Sequence, residues 1–216
     1  DALIHVIRCF TNKAVEHPEG SIDPVRDWDI IENELIFRDL AVIENRLGKL
    51  KAKKKLTPEE ETEKKLLDMC FECLLEEKPL RGLELKPAEW RLLRGFSFVT
   101  SKPEIILLNL DDSQSDETKI PKWDELKKRA DEQGVKLCTL YGSLEMDIAE
   151  LDEEEASAFT EGLDITEPGR ERLIEEAYRV LGLISFFTCG PDEVRAWTLH
   201  DGDNAVDAAG AIHSDL

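Results

Sequence analysis

Residues 104–143 of the chain read EIILLNLDDSQSDETKIPKWDELKKRADEQGVKLCTLYGS. Two apolar runs, at residues 104–108 and 135–140, flank a segment that Pro121 opens and Gly134 ends, as expected for a helix. A strand, a loop, a helix and a second strand in this order are typical of a parallel sheet. The stretch therefore predicts an α/β fold.

A further apolar run at residues 3–9 predicts another strand, and its unbroken character is typical of a sheet that is covered on both faces. The chain enters this run with no initiating Met, no signal-peptide pattern and no turn or cap before it. We therefore expect the chain to begin within a longer protein.

An inserted helical hairpin is predicted over residues 27–80, where Asp27 is expected to cap the first helix. Apolar side chains recur along this helix in alternating steps of four and three, which is the coiled-coil period. These side chains are Ile36, Leu40, Ile43, Leu47 and Leu50. The pattern predicts a seam against which a second helix packs.

The second helix of the hairpin begins with Thr57 as its N-cap, and Glu60 closes a capping box. Its apolar positions, which can face the first seam, are Leu66, Leu67, Cys70, Cys73 and Leu74. Pro79 ends the helix, and residues 87–94 predict a short helix beyond it. We therefore expect an antiparallel coiled-coil hairpin.

The last third of the chain predicts a second, small domain. An acidic tract at residues 152–155 precedes a helix at residues 170–181. Residues 184–189 and 194–200 are expected to pair as strands, and residues 205–212 form a helix after them. Two strands and one helix are marginal by themselves, so we expect this domain to be cut short.

Composition limits the classes of partner. The 216 residues are 41% hydrophobic and 35% charged, as in a folded, helix-rich soluble protein. A net charge of −20 repels nucleic acid and anionic membranes, and no apolar run approaches the roughly 20 residues that span a bilayer. Five irregularly spaced cysteines favour a reducing cytoplasm over a disulfide framework. Nothing in the sequence specifies the oligomeric state.

Polar residues follow two of the predicted strands at the edge where parallel α/β sheets bind ligands. Asn109 and Asp112 follow one strand, and Ser143, Leu144 and Glu145 follow the other. An Asn amide can donate to and accept from a purine edge, a carboxylate can accept from its N–H groups, and backbone amides can complete the pocket. The alternative is structural, since such an Asn usually forms a turn and Ser143 would usually cap a helix.

A phosphate-binding loop does not occur among the 216 residues. Such a loop needs glycines whose amides cradle the phosphates, a Lys, and a Ser or Thr for magnesium. Gly48-Lys49 is followed by Leu50 and lies within the first predicted helix of the hairpin. We therefore predict no catalytic residue in this chain, and we expect that the chain alone does not hydrolyse a nucleotide.

A cluster of lysines lies at the tip of the predicted hairpin: Lys49, Lys51, Lys53, Lys54 and Lys55. In a chain of this negative charge, the cluster is the place to which an RNA backbone would be attracted. A solvated tip, where like charges only keep the loop open, is an equally good interpretation. No aromatic residue is interleaved with the lysines, so base stacking is not expected.

Cys70 and Cys73 have a Cys-x-x-Cys spacing, but they lie on the apolar side of a predicted helix. Zinc would need two further ligands, and the sequence contains no second pair. Core packing is therefore the favoured interpretation, and no metal site is predicted. A redox role for the pair stays open.

Several segments of the chain resemble the Obg-like ATPases of the YchF group, a branch of the P-loop GTPase relatives. The matching segments, in order, are residues 1–10 (DALIHVIRCF), 23–27 (DPVRD), 31–35 (IENEL), 187–199 (FTCGPDEVRAWTL) and 208–213 (AAGAIH). The resemblance implies a partial P-loop NTPase sheet in residues 1–26 and 81–183, the coiled-coil insertion in 27–80, and a truncated TGS (β-grasp) domain in 184–216.

The resemblance also implies a role for the strand-end residues. The GTPase relatives read guanine with Asn-Lys-x-Asp, whereas the Obg-like ATPases carry Asn-x-x-Glu and favour ATP over GTP. This chain has Asn109, Leu110 and Asp112 at the corresponding positions and departs from both motifs. The resemblance implies that these residues bind the purine with Ser143, Leu144 and Glu145.

In the intact relatives the resemblance implies ATP (or GTP) with magnesium as the bound group, and an association with ribosomes and translation. The magnesium ligands of the family lie in segments that precede the part resembling residues 1–10. The alternative is a non-enzymatic module that binds RNA or protein through the hairpin and the TGS segment.

Overall fold

The structure is a computed structural model that describes residues 1–111, 117–162 and 168–213. The described residues form, in chain order, β1 (Leu3–Arg8), α1 (Pro24–Lys51), α2 (Pro58–Leu75), α3 (Pro87–Leu93), β2 (Glu104–Asn109), α4 (Trp123–Gln133), β3 (Lys136–Leu140), α5 (Gly142–Ala149), α6 (Glu153–Gly162), α7 (Gly169–Val180), β4 (Leu183–Cys189), β5 (Val194–His200) and α8 (Ala205–Ile212). In this part of the chain, no helix combines the length and apolar character that a membrane crossing requires.

The chain divides into two compact units. The sheet unit consists of Asp1–Asn12, Pro103–Glu117 and Val135–Leu216. The hairpin unit consists of Lys13–Lys102 and Thr118–Gly134. Each unit has its own packed interior and is described by itself.

The sheet unit contains the predicted parallel sheet. The strands lie in the order β1-β2-β3, and both neighbouring pairs are parallel. Leu3 lies opposite Glu104, and Ile105 lies opposite Lys136. The side chains of β2, the central strand, are buried from Ile105 to Leu108, so both faces of this strand are covered. The expectation of an α/β fold with parallel strands is confirmed.

One face of β1 differs from the expectation. Ile4 and Val6 are 48% and 58% exposed, whereas Ile7 is 2% exposed. The prediction that β1 is covered on both faces is therefore wrong for the described residues. The side chains of β1 alternate between the two faces of the sheet, and the face that carries Ile4 and Val6 is exposed among the described residues.

The first helix of the hairpin unit begins earlier than predicted. Its N-cap is Asp23, whose Oδ1 atom accepts a hydrogen bond from the Arg26 amide at 3.2 Å. Pro24 occupies the first helical turn, where its missing N–H group costs nothing. The prediction that Asp27 caps this helix is wrong, because Asp27 lies inside the first turn.

Helix α4 begins at Trp123, two residues after the predicted start at Pro121. Lys122 precedes it in a left-handed conformation, with φ of 58°. Its Nζ atom lies 2.6 Å from Oδ2 of Asp23, so the starts of α4 and α1 are joined by an ion pair. The predicted stop at Gly134 is confirmed, with φ of 64°.

The hairpin itself follows the sequence pattern. Thr57 and Glu60 form the predicted capping box. Arg46 contacts Glu63, and Lys53 contacts Glu60 nearer the tip, so α1 and α2 run antiparallel. The buried members of the two seams are Ile36, Ile43, Leu47, Leu50, Leu66, Leu67, Cys70 and Leu74, and the half-buried Leu40 and Cys73 pack against them.

A buried carboxylate fixes α1 to the segment that follows α3. Asp39 is fully buried, and its Oδ2 atom accepts from the amide and the hydroxyl of Thr100, both at 2.8 Å. Its Oδ1 atom accepts from the Val99 amide at 3.1 Å. Arg38 Nη1 also donates to Oδ1, at 2.9 Å, so both oxygens of this carboxylate are held by groups of the hairpin unit.

Strands β4 and β5 pair antiparallel, as predicted for the end of the chain. A hydrogen bond of 2.8 Å from the Gly190 amide to the Glu193 carbonyl closes the turn between them. Phe186 lies opposite Trp197, whose indole N–H donates to Thr188 Oγ1 at 2.9 Å. Helix α8 then begins in a capping box, and this helix is also confirmed.

Candidate functional site at the carboxyl edge of the sheet

The candidate site lies where β2 and β3 end side by side. Asn109, the last residue of β2, lies opposite Leu140, the last residue of β3. The Leu110 amide donates to the Leu140 carbonyl at 2.8 Å, and the Cys9 amide donates to the Asn109 carbonyl at 2.8 Å. The backbone at the end of β2 is thus fixed on both sides, and its side chains emerge at a rigid position.

The Asn109 side chain joins the two strand-end loops. Its Oδ1 atom accepts a hydrogen bond from the Gly142 amide, the first amide of α5, at 3.0 Å. Among the described residues, its Nδ2 group donates to no acceptor. Asn109 is half-buried and held by one atom, so it keeps two N–H donors for a ligand.

Gly142 allows this contact, and the sequence pattern did not point to it. A Cβ atom at position 142 would lie 2.9 Å from Oδ1 and 3.0 Å from Nδ2 of Asn109. Any larger residue would force the Asn109 amide to move. A glycine two residues after the end of a strand was the available signal, because close backbone approach is one of the few reasons for a glycine there.

Glu145 contacts another helix. Its Oε1 atom accepts a hydrogen bond of 2.6 Å from the Gly169 amide, at the start of α7. A carboxylate at a helix N-terminus is favoured by the helix dipole. A Cβ atom at position 169 would lie 2.7 Å from Leu140 Cδ1 and 3.0 Å from Glu145 Oε1. Glycine at 169 therefore permits the contact that ties the second loop to α7.

The remaining predicted residues differ in exposure. Leu110 is only 3% exposed, so its side chain belongs mainly to the interior. Ser143 is exposed and Leu144 is half-buried in the first turn of α5. Asp112 lies outside the described residues. The structure thus brings Asn109, Ser143 and Leu144 to one edge of the sheet.

Arg8 lies at the same edge, and the sequence pattern missed it. It is opposite Asn109 in the register of β1 and β2. Its Nε atom donates to the Phe10 carbonyl at 3.0 Å, and its guanidinium lies 4.7 Å from the centre of the Phe10 ring. A cation therefore lies beside Asn109 on an otherwise acidic chain.

The lysines at the hairpin tip follow two patterns. Lys53 forms an ion pair with Glu60, and this contact lowers the pKa of the Glu60 carboxyl. The exposed lysines that form no ion pair with any described residue are Lys49, Lys51, Lys54 and Lys55. Four of the five tip lysines therefore form no ion pair with a described residue, although three glutamates, Glu59, Glu60 and Glu61, lie in the first turn of α2.

The cysteines pack as predicted. Cys70 is fully buried in the core between the helices, and burial raises the pKa of its thiol to about 12. Cys73 is half-buried, and burial raises its pKa as well. The described residues contain no group of His, Cys, Asp or Glu side chains arranged to hold a metal ion. The packing interpretation is confirmed.

The fold and the site define a class of protein. A parallel sheet whose strands end in polar loops, interrupted in sequence by a helical hairpin, is consistent with part of a P-loop NTPase fold. Comparisons with known proteins narrow this class to one family.

Curated relatives match the chain along its whole length. "Ribosome-binding ATPase YchF" of Escherichia coli O157:H7 is 35% identical over 217 residues, which cover 100% of this chain and 59% of the relative. The protein of the same name from Bacillus subtilis is 34% identical over 221 residues and is covered to 60%. The chain therefore spans about three fifths of the curated relatives it matches.

A solved structure and a family model agree with these relatives. The "Structure of the Schizosaccharomyces pombe YchF GTPase" is similar with a TM-score of 0.84 at 32% identity, covering 100% of this chain and 59% of that chain. A family model described as "YchF-GTPase_C: Protein of unknown function (DUF933)" matches residues 183–216. Over its whole length the chain is similar to members of the YchF family at 32–35% identity, which confirms the resemblance to the Obg-like ATPases.

Proposed function

We propose that the chain supplies the base-binding edge and the ribosome-contacting hairpin of a cytoplasmic, translation-associated ATPase. The names of the relatives support this proposal, since they describe ribosome-binding ATPases. The chain spans 59% of the first of these relatives, so the activity of the whole protein is part of the proposal.

The observation that carries the proposal is the contact between Asn109 and Gly142. It places an amide with free N–H donors at the carboxyl edge of a parallel sheet, where α/β proteins bind nucleotides. Asn109 would donate to a purine ring nitrogen and Asp112 would accept from an N–H group. Ser143 and Leu144 would flank the base.

Two of the predicted residues would act less directly. Glu145, whose carboxylate holds α7, would fix the second loop rather than read the base. Leu110 would stand where the GTPase motif has its lysine, and only its small exposed fraction would meet the ring. Preference for ATP over GTP belongs to the proposal through the family resemblance.

Nucleoside titration tests the base site alone, because a nucleoside has no phosphate groups to be bound elsewhere. Adenosine added to the ¹⁵N-labelled chain should shift the side-chain amide signals of Asn109, and guanosine should shift them less. Asn109→Ala should weaken adenosine binding about tenfold, because a buried hydrogen bond is lost. Asn45→Ala, on the exposed face of α1, is the matched control. Unchanged Asn109 signals at saturating nucleoside would rule out the site.

We also propose that this chain alone does not hydrolyse ATP. None of the 216 residues forms a Gly-Lys-Ser or Gly-Lys-Thr loop, so magnesium and the attacking water would be held outside this chain. Incubation of the chain with ATP and Mg²⁺ should release phosphate at the rate of the protein-free control. Phosphate release above that rate would contradict this part of the proposal.

Ribosome contact is proposed for the lysines at the hairpin tip. Lys51→Glu combined with Lys54→Glu reverses two charges that form no ion pair with the described residues. Co-sedimentation with ribosomes should fall by an order of magnitude and should weaken with added salt. Lys127→Glu with Lys128→Glu, on the exposed face of α4, is the control. Equal losses in both double variants would show a nonspecific charge effect.

The domain organisation completes the proposal. The hairpin would be the coiled-coil insertion at residues 27–80, between two parts of the NTPase-like domain at 1–26 and 81–183. Residues 184–216 would be the start of a TGS (β-grasp) domain, and the paired strands β4 and β5 followed by α8 support this assignment.

The second candidate is a non-enzymatic module that binds RNA or protein through the hairpin and the TGS segment. The four tip lysines that form no ion pair with a described residue favour it. Ribosome binding that needs Lys51 and Lys54, combined with no response of Asn109 to either nucleoside, would select this function over the ATPase.

A further inference from the structure

A cavity of about 590 Å³ lies within the hairpin unit, at the end of the hairpin opposite its tip. The last two turns of α2, the segment that follows it and the last two residues of α4 line this cavity. It contains none of the residues assigned to the base site or to the lysine tip, so those functions leave it unexplained.

The electrostatic character of the cavity is negative. Lys78 and Arg81 are its cations, but Lys78 Nζ lies 2.7 Å from Glu76, and Arg81 lies 2.7 Å from the buried Glu32. Glu72 and Glu77 also line the cavity, and neither forms an ion pair with any residue that the structure describes. The lining therefore carries carboxylates in excess of its cations.

Two helix ends add to this field. Helices α2 and α4 both end at the cavity, and neither has a basic residue in its last turn. Helix C-termini carry partial negative charge that Lys or Arg usually offsets. Here the offsetting charge is absent from both helices, so a cation from outside the unit would be favoured.

Hydrogen-bonding capacity and apolar lining define the ligand further. The Oε1 atom of Gln133, which lines the cavity, is buried and accepts no hydrogen bond from a described residue. Met69, Pro79 and Leu83 supply apolar surface. The described carboxylates do not form a metal-binding group, so a bare metal ion does not fit.

We propose that this cavity binds an organic cation, whose ammonium or guanidinium group meets Glu72, Glu77 and Gln133 and whose apolar stem packs on Met69 and Leu83. The shared chemistry is that of an arginine or lysine side chain and of a small alkyl amine or alkylguanidine. The cavity recognises charge through its carboxylates and the stem through its apolar wall.

The two methionines of the chain provide an internal control for the test. Met69 lines the cavity, whereas Met146 lies on α5 in the sheet unit. In a chain labelled with [¹³C-methyl]-methionine, n-butylguanidinium should shift the Met69 signal in a saturable way. The Met146 signal should stay unchanged. n-Butylurea, which has a similar shape without the charge, should shift neither signal.

Charge removal tests which groups bind. Glu72→Gln with Glu77→Gln should raise the Kd for n-butylguanidinium about tenfold, as expected for two partly solvated ion pairs. Glu61→Gln with Glu84→Gln removes the same charge from exposed positions outside the cavity and should leave the Kd unchanged. Thermal melting of both double variants checks that the hairpin stays folded.

A second probe distinguishes an arginine side chain of a protein from a small-molecule cation. If Nα-acetylarginine methylamide also shifts Met69, an arginine side chain of a protein is an acceptable ligand. If only the free alkylguanidinium binds, the ligand is a small molecule. Absence of a Met69 shift with both probes, or equal shifts with n-butylurea, would overturn the proposal.

Discussion

Asp39 in the hairpin unit and Asn109 in the sheet unit both hold a loop through a polar side chain, but they do so in different ways. Asp39 is fully buried, and both of its oxygens accept hydrogen bonds from Val99 and Thr100. Asn109 is half-buried and contacts Gly142 through one atom. A buried group whose hydrogen bonds are all made contributes to stability, whereas a group with unused donors can still bind a ligand.

This difference separates polar side chains that hold the fold from those that remain available to a ligand. In the hairpin unit both oxygens of Asp39 are used by contacts within the unit, so this carboxylate is structural. At the sheet edge the polar groups are held by single hydrogen bonds to the backbone of Gly142 and Gly169. Substitutions should therefore cost stability at the first place and binding at the second.

The largest loss of stability is expected for Asp39→Ala. The substitution leaves the half-buried amide of Val99 and the buried amide of Thr100 without an acceptor and removes the ion-pair partner of Arg38, which should lower the free energy of unfolding by about 3 kcal/mol. Urea denaturation followed by circular dichroism measures the change. Asp68→Ala, which removes an exposed partner of Lys64, should cost less than about 0.5 kcal/mol. Similar losses in both variants would mean that the buried contacts are not special.

Alkaline pH should also weaken the hairpin core, through Cys70. Its thiol has a pKa of about 12 in the folded chain against 9.0 for an unperturbed thiol. Between these values the unfolded chain releases a proton that the folded chain keeps, so stability falls as pH rises above 9. The loss should approach about 2 kcal/mol by pH 10.5.

Cys70→Ala isolates this effect from other groups that titrate at high pH. The variant loses packing at all pH values, but its stability should decline less steeply above pH 9 than that of the unchanged chain. Parallel pH dependences for the two chains would show that Cys70 does not titrate as its burial requires.

Local patterns specified the parts of the fold that depend on neighbours in sequence. The capping box of Thr57 and Glu60, the seams of the hairpin and the stop at Gly134 were all visible in short windows. The start of α1 at Asp23 could not be predicted in this way, because a proline such as Pro24 occurs both in loops and in the first turn of a helix.

Helix α6 was not predicted, and α5 was foreseen only through the alternative that Ser143 caps a helix, two residues after the actual N-cap. Helix α5 follows β3 directly, and its N-cap Tyr141 makes no side-chain capping bond. Helix α6 begins within the acidic tract, which has no apolar periodicity. Contacts between residues that are distant in sequence could not be predicted either. The close approach of Gly142 to Asn109 and of Gly169 to Glu145 is therefore known only from the structure.

Gly142→Ala should lower the stability of the chain by a moderate amount. The added methyl group would approach Asn109 to about 3 Å, which should cost about 1.5 kcal/mol. It should also weaken adenosine binding. Gly48→Ala is the matched control, since this helical glycine has no atom within 4 Å of the added Cβ. The control should raise stability by up to about 1 kcal/mol, as is usual for alanine in a helix.

The outcome for Gly142 has a clear contrary form. If Gly142→Ala and Gly48→Ala both stabilise the chain, Asn109 does not depend on the glycine for its position. The contrast between Asp39 as a structural group and Asn109 as a ligand-binding group would then lose its support at Asn109.

Glu145→Ala should have the smallest effect, about 1 kcal/mol, because it removes a cap from the N-terminus of α7. Glu145→Gln keeps an oxygen that can accept from Gly169 but removes the charge, so it should lose only part of this amount. Chemical denaturation of both variants, with Asp147→Ala on the exposed side of α5 as control, measures the difference. A larger loss for the Gln variant than for the Ala variant would contradict the capping role. Adenosine binding that falls in Glu145→Gln while stability is unchanged would instead place this carboxylate at the base.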